Sequence, residues 1–479
     1  MFRHLTSLLP TRRASILIQC PSSIHPPHYI RIPTAPCVPP TSHCRRTFLT
    51  TTPTTKKQQP PGPGDPSSPP LSLNPLLPPP NFDDDEPDWT TTFSPPPNLP
   101  YEFGSNQYMH VDDGLKEHLR TLLWQFRAPV RYAFAYGSGV FSQGTSTPTP
   151  MDKSRKKPMI DLIFGVTYTQ HWHSINIAQH RDHYSFLGTL GSKVVAHVQD
   201  DFGAGVYFNP YVEVNGTLIK YGVVNLSTLH RDLTDWDTLY LAGRLHKPVK
   251  ILRDDPKIRY ANQLNLLSAL RTALLLLPET FTEQQLYTTI CNISYTGDPR
   301  MHLFTENQNK VTNIVTSQLH NFRRLYSPLI DVLPNVDFSS SSIGWSDSPK
   351  TTNLTQDMSP VRRANMVRRL PRAFRDRLYF QYQARYKIPR AEFESMVGLT
   401  EDAERMRRRE GGGFERRIVE DETEGGIRVE VGKAVKKTIG WASSVQSVKG
   451  VLTAGLGRSL RYLGEKVGKW KEGRRKQER

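Results

Sequence analysis

The chain has 479 residues and sets 62 Lys and Arg against 45 Asp and Glu, a net charge of +17. With 37% hydrophobic and 22% charged residues it is neither fibrous nor wholly disordered, and it can fill a core without disulfides. The longest apolar run, Leu264 to Leu277, carries Arg271 and falls short of the roughly 18 residues that span a bilayer, which argues against an integral membrane protein. Charge is distributed unevenly. Residues 1–64 hold eight bases and no acid, residues 361–479 hold 30 bases against 16 acids, and the stretch 65–360 is left at −5. A nucleic-acid-binding domain would carry its bases on the folded body. Here they sit at the two ends, which points away from nucleic acid.

Taken in chain order, residues 1–48 are basic, hydroxyl-rich and free of acid, the composition of an organelle transit peptide, in which Arg45-Arg46-Thr47-Phe48 would suit a mitochondrial matrix processing site; a disordered basic terminus is the plainer account. The linker 49–111 is rich in proline, since 24 of the 39 prolines fall in the first 100 residues, and it is expected to be disordered. Cys20, Cys37 and Cys44 precede the body, and Cys291 alone lies within it, as suits a reducing compartment. Leu115, Leu119, Leu122, Leu123 and Phe126 predict a helix over Gly114 to Phe126. Tyr132 to Tyr136 reads as a short buried strand, and Met159 to Val166 as a second. Further strands are expected at Val206 to Phe208, Tyr211 to Val214 and Thr217 to Val224. Helical patterns then follow at Asp237 to Leu245, Asn262 to Leu277, Thr282 to Ile293 and Lys310 to Tyr326.

Gly137-Ser138-Gly139 follows the first strand and is expected to open a helix. Glycine lets backbone N–H groups approach a phosphate, and the hydroxyl adds a donor; the same turn can also be purely steric. Asp161 stands in the apolar strand Met159-Ile160-Asp161-Leu162-Ile163-Phe164. An acid there needs a partner, either a divalent cation beside the phosphate turn or a salt bridge.

The order of these two motifs resembles the nucleotidyltransferase superfamily of the DNA polymerase β type. More closely, the body resembles the mitochondrial phosphatidate cytidylyltransferases of the translocator assembly and maintenance family. The matching stretches are Phe134 to Phe141, Asp161 to Phe164, Trp172 to Asn176, His183 to Leu187, Gly203 to Asn209, Ile219 to Val223, Ala242 to Lys250 and Ser294 to Met301. The resemblance implies a nucleotidyltransferase-like α/β (α+β) domain with a small mixed sheet over 112–235. A mostly helical domain over 236–335 and an irregular or helical region over 336–432 would follow. It implies Mg²⁺-dependent transfer of CMP from CTP to phosphatidic acid, giving CDP-diacylglycerol and pyrophosphate for cardiolipin synthesis at the matrix side of the inner membrane. A rival from another class is a non-catalytic peripheral membrane factor for translocase assembly. Many superfamily members place a second acid two residues after the first, and here that position is Ile163. Glu213 or a substrate oxygen would complete the shell.

On this reading Asp161 holds the metal and Lys220 steadies a phosphate, although a paired structural lysine is an equal alternative in so apolar a strand. Gly137, Ser138, Arg244, Lys247 and Lys250 are candidate nucleotide or phosphate ligands, with a solvated helix end as the plainer account of the three bases. Trp172 and His173 are candidates for base or ribose stacking, a single histidine more often being structural. Asp298 and Arg300 are candidates for a substrate role or for pairing with each other. From Lys433 to Trp470, apolar residues recur at gaps of three or four among many bases, and the last 48 residues carry +10. The segment 433–479 therefore reads as a basic amphipathic tail for anionic lipid, with Lys436, Lys437, Arg458, Arg461 and Trp470 as membrane contacts. The alternative is an ordinary helix packed on the core. Oligomeric state is not legible.

Overall fold

The computed structural model describes residues 102–141, 159–297, 310–333, 335–338, 352–397, 413–421, 425–455, 457–458 and 464, all within the unit Pro70–Arg479. The expected transit peptide and most of the linker lie outside the described residues, as do Asp298, Arg300, Arg461 and Trp470.

Asp112 caps helix α1 (Asp113–Trp124) by accepting from the Leu115 N–H, and Leu119 and Leu122 turn inward. Strand β1 (Tyr132–Tyr136) pairs antiparallel with β2 (Ile160–Val166), and β2 pairs parallel with β4 (Thr217–Asn225). Between those two parallel strands the chain runs through α2 (Thr169–Gln179), α3 (Ser192–Asp200) and β3 (Val206–Val214). The two strands expected at 206–208 and 211–214 form this single strand, bent by a register shift between Asn209 and Val212. Strands β3 and β4 form a hairpin whose Asn215 and Gly216 both take positive φ, the conformation of the favoured two-residue turn. With β5 (Lys250–Arg253) on the far side of β1, the mixed sheet runs β3-β4-β2-β1-β5. The rest of the body is mostly helical.

The expected helix over Asp237 to Leu245 is replaced by α4 (Leu226–Asp235), a loop, and the short α5 (Ala242–Leu245). The reason is Asp232, whose carboxylate binds backbone N–H groups of the loop and so competes with continuous helix. The run Leu264 to Leu277 falls in α6 (Pro256–Leu276), which starts on a proline, is capped by Asp255 and is buried on nearly every side. Among the described residues no helix is long and apolar enough to cross a membrane. Thr282 caps α7 (Glu283–Ile293) through a reciprocal capping box with Gln285. The helix expected over Lys310 to Tyr326 is broken at Gln318 into Lys310–Ser317 and Leu319–Ile330. A second, three-stranded sheet joins β6 (Thr280–Thr282), β7 (Val336–Phe338) and β8 (Asn353–Gln356) in the order β6-β8-β7. One buried cluster runs through both segments 112–235 and 236–335 and continues to Ile439.

The C-terminal helix Gly426–Ala454 lays Val431, Val435 and Ile439 against that cluster. Gln446 donates to the Val206 carbonyl at 3.0 Å, which ties the helix to β3. Lys449 is 3% exposed and donates to the carbonyls of Val198, Gln199 and Phe202 at 3.3, 3.1 and 2.6 Å. It thereby caps the end of α3, where carbonyls lack helical partners. Burial pulls its ammonium from the usual 10.5 down to about 7. The unfolded chain then binds more protons than the folded one between about pH 7 and 10.5, so this group makes stability rise with pH across that window. Its slope is about 1.4 kcal/mol per pH unit. Urea unfolding of the wild type and of Lys449→Met at pH 6, 7.5 and 9 checks this. The wild type should gain on the variant only above pH 7, and parallel pH profiles would contradict it.

Candidate active site

Cross-strand register builds the site. Tyr136 lies opposite Asp161, and Asp161 lies beside Lys220 in the parallel pair, so the three side chains share one face of the sheet. Lys220 Nζ stands 3.8 Å from Asp161 Oδ1 and 4.7 Å from the centre of the Phe208 ring. Phe208 can cross β4 there because Gly222 has no side chain; a Cβ at that position would lie 2.6 Å from the ring. Both charged groups remain partly open to solvent, at 19% for Lys220 and 24% for Asp161.

The turn after β1 sits directly over this pair. Gly137 takes φ +83°, and a Cβ there would come within 3.2 Å of Asp161 Oδ2. Its carbonyl accepts from the N–H groups of Val140 and Phe141 at 3.1 and 3.0 Å. These bonds make a tight turn, and the expected helix does not form within the described residues before 142. Gly139 packs against the start of β2, where a Cβ would meet the Met159 carbonyl at 2.6 Å. Positive φ at Gly137 and close approach to the β2 backbone at Gly139 each demand glycine. Ser138, between them, is exposed.

Helix α5 brings the first base. The Arg244 guanidinium lies 3.9 Å from the Tyr240 ring centre, donates to the Tyr240 carbonyl and reaches the Tyr136 hydroxyl at 3.4 Å. Burial raises the Tyr136 phenol above its ordinary value; Asp161 adds to that rise, while Arg244 and Lys220 oppose it. All three charged groups thus act on one hydroxyl. Lys247, three residues on, donates to the Gly243 carbonyl at 2.6 Å and to Ser294 Oγ at 2.7 Å, and lies 4.9 Å from the Tyr295 ring centre. Burial pulls its ammonium down to about 7. An approaching phosphate would restore the charge.

Other candidates do not meet the Asp161–Lys220 pair. Lys250 pairs in register with Ala135, which points it to the opposite side of the sheet, and its Nζ donates to the Met109 carbonyl at 2.8 Å. Trp172 is buried beneath that opposite side among Phe164, Tyr221 and His173. His173 is fully buried, bonded to Tyr184 and Gln199 at 2.8 and 2.9 Å, and desolvation lowers it to about 4. Glu213, opposite Leu218, keeps to the Asp161 side of the sheet by register, but it is exposed on β3, two strands away from Asp161. For a metal, Asp161 offers a hard carboxylate facing the glycine turn, a donor that suits Mg²⁺ with phosphate oxygens filling the other positions.

Sequence patterns missed the groups that hold α5 in place. Asp232 accepts from Thr238 N and Oγ1 at 2.9 and 2.8 Å and from Leu241 N and Ala242 N at 2.9 and 3.0 Å. Asn265, on α6, accepts from Trp236 Nε1 at 2.8 Å and donates to the Ala242 carbonyl at 3.1 Å. Asp232→Ala leaves buried N–H groups without an acceptor and should cost about 2 to 4 kcal/mol. Denaturant unfolding measures it, and Asp232→Asn, which keeps one oxygen, should recover part of the loss.

Comparison with known proteins gives the family. Residues 119–469 match the family described as phosphatidate cytidylyltransferase, mitochondrial. The Schizosaccharomyces pombe protein of that name is 36% identical over 369 residues, covering 76% of this chain and 86% of its own length. The Danio rerio protein of that name is 36% identical over 360 residues, covering 74% of this chain and 96% of its own length. The Saccharomyces cerevisiae one reaches 47% over 235 residues, covering 48% of this chain and 60% of its own length. A glycine turn over an acid-lysine pair, carried by a chain with these relatives, leads to one conclusion: the chain belongs to the mitochondrial phosphatidate cytidylyltransferase family.

Proposed function

We propose that the chain transfers CMP from CTP to phosphatidic acid, forming CDP-diacylglycerol and releasing pyrophosphate, on a nucleotidyltransferase-like sheet. The observation that carries this reading is the convergence of Asp161, Lys220 and Arg244 beneath the Gly137-Ser138 turn, in a chain of this family. A phosphatidate oxygen attacks the α-phosphorus of CTP, and the bond to the pyrophosphate oxygen breaks. The attacking phosphate is already ionised near neutral pH, so no protein nucleophile or strong base is needed. Gly137 and Ser138 hold the triphosphate by backbone and hydroxyl donors. Arg244 and Lys247 offset the charge that gathers on the leaving group, and Lys220 keeps an ammonium against both Asp161 and the phosphates. Mg²⁺, held by Asp161, would neutralise phosphate charge when bound.

Phosphatidic acid stays in a bilayer, so the body must reach a surface, which we place at the matrix side of the inner membrane, where the product would enter cardiolipin synthesis. The outward side of the C-terminal helix supports this. Trp441, Val448 and Leu452 are 77%, 67% and 48% exposed, and Lys436 and Lys437 are exposed on the preceding turns. Phe186 and Phe202 are also exposed; their neighbours are tied to this helix by the Ser185 hydroxyl, which donates to the Leu452 carbonyl, and by Lys449, which bonds the Phe202 carbonyl. An apolar patch with basic neighbours suits anionic lipid.

The purified chain with Mg²⁺, labelled CTP and phosphatidate in detergent should yield CDP-diacylglycerol, and a preparation that yields none where a known cytidylyltransferase succeeds overturns the reading. Asp161→Asn should lower kcat by about 10²-fold or more with an unchanged melting temperature. Ser138→Ala should raise the apparent KM for CTP by about fivefold, the value of one donor. For the membrane, Trp441→Glu combined with Val448→Glu should cut sedimentation with anionic vesicles. Turnover of a short-chain, water-soluble phosphatidate should be spared. Equal loss of vesicle binding and of short-chain turnover would place those residues in the fold rather than at the bilayer.

A further inference from the structure

The loop after α2 gathers a second set of ligating groups, on the side of the sheet away from Asp161. His180 ends α2, and Arg181–His183 make a single tight turn. That turn brings one ligand atom each of His180, Asp182 and His183 within 4.8 Å of one another. Both imidazoles have their outer nitrogen against an oxygen. His180 Nε2 faces the Gln125 carbonyl at 3.4 Å, and His183 Nδ1 faces the Tyr221 hydroxyl at 2.9 Å. In the tautomers that donate those two N–H bonds, His180 Nδ1 and His183 Nε2 keep their lone pairs. An oxygen behind the ring is the arrangement that orients metal-binding histidines and makes them better donors, and His183 holds it at 2.9 Å.

We propose that His180, Asp182 and His183 bind a single transition-metal dication of the Zn²⁺ class, with the fourth position open to water. Two imidazoles and one carboxylate suit Zn²⁺, whereas Mg²⁺ prefers oxygen alone. His183 is buried and fixed by Tyr221, while Asp182 is exposed and His180 partly so, which gives the ion one rigid wall and an entry side. The two rings lie parallel with centres 4.3 Å apart. A shared ion therefore requires the His180 ring to turn about its Cβ–Cγ bond, a soft torsion in an imidazole, and to give up its long 3.4 Å contact with the Gln125 carbonyl. Arg458 donates to the carbonyls of His183 and Asp182 at 2.8 and 2.5 Å. The turn that holds the ion is thus also the seat of the segment beyond the C-terminal helix. The site is separate from Asp161: Tyr221 follows Lys220 in β4, but its side chain leaves the sheet on the other face.

The test uses the full chain, stripped with a chelator, dialysed, and titrated with Zn²⁺ against a chromophoric competitor in excess Mg²⁺. The wild type should take up a Zn²⁺ equivalent that raises its melting temperature. His180→Ala and Asp182→Asn, at the exposed side where the fold is least at risk, should each weaken that binding by about tenfold or more with unchanged circular dichroism. Asp161→Asn should bind Zn²⁺ as the wild type does, which keeps the outcome independent of the proposed transferase chemistry. Because Cys20, Cys37 and Cys44 can also take Zn²⁺, the difference between wild type and variants is the deciding quantity. Absence of Zn²⁺ uptake, or both variants binding as the wild type does, overturns the proposal.

Discussion

The parallel pairing of β2 with β4 is the constraint on which the site depends. It sets Asp161 beside Lys220 on neighbouring strands, about 4.8 Å apart in the hydrogen-bonding direction, and a one-residue slip would send either side chain to the other face. At 3.8 Å the pair is an ion pair without a short hydrogen bond. Its gross attraction is about 4 kcal/mol at an effective dielectric constant near 20, and solvent reduces the net value to about 1 kcal/mol or less. The pair contributes little to stability. It leaves a carboxylate with free acceptor capacity under a glycine turn, and an ammonium held nearby by Phe208.

Around that pair the body uses buried polar groups to hold loops where helices alone could not. Asp232 gathers four donors from the loop that leads into α5, and Asn265 holds the same loop from α6, so Arg244 reaches Tyr136 from a fixed base. On the reverse face, His183, Tyr221, Asn176, Tyr184, His173 and Gln199 form one connected hydrogen-bonded chain within 3.0 Å at each step. Such a network specifies one packing of α2 and α3 on the sheet. It accounts for the family-matching stretches around Trp172 and His183 as parts of the wall rather than of the Asp161 face.

The C-terminal helix shows how one stripe of residues serves two environments. Ile439, Ala442, Val445 and Val448 follow one another at gaps of three, and each gap turns back by about 60° at about 100° per residue. Ile439 and Ala442 are buried, Val445 is intermediate, and Val448 is exposed. The segment expected to be a basic amphipathic foot for the membrane is anchored to the body along its length, by Val431 to Ile439 and again by Gln446 and Lys449, while Trp441, Val448 and Leu452 face outward.

The sequence by itself determined the local pieces of this protein. The run Tyr132 to Tyr136 is a strand because β-formers stand between turn residues, and the apolar run with one acid is the next strand. Asn215-Gly216 is a hairpin turn because both residues accept positive φ. Its motifs also identified the family. Tertiary structure alone decided which candidates meet. Lys220 could be weighed only as paired or phosphate-binding until the register set it beside Asp161, and Lys250 resembled Arg244 and Lys247 in sequence until β5 turned it to the other face. Asp232 carried no periodic signal, yet its four bonds to residues six to ten positions further on replaced one expected helix by a loop and the short α5. Periodicity reports which side of an element is apolar. Register and the faces of a sheet depend on chain segments far apart in sequence, and those become neighbours only in the folded body; a side chain that binds loop N–H groups leaves no periodic trace at all.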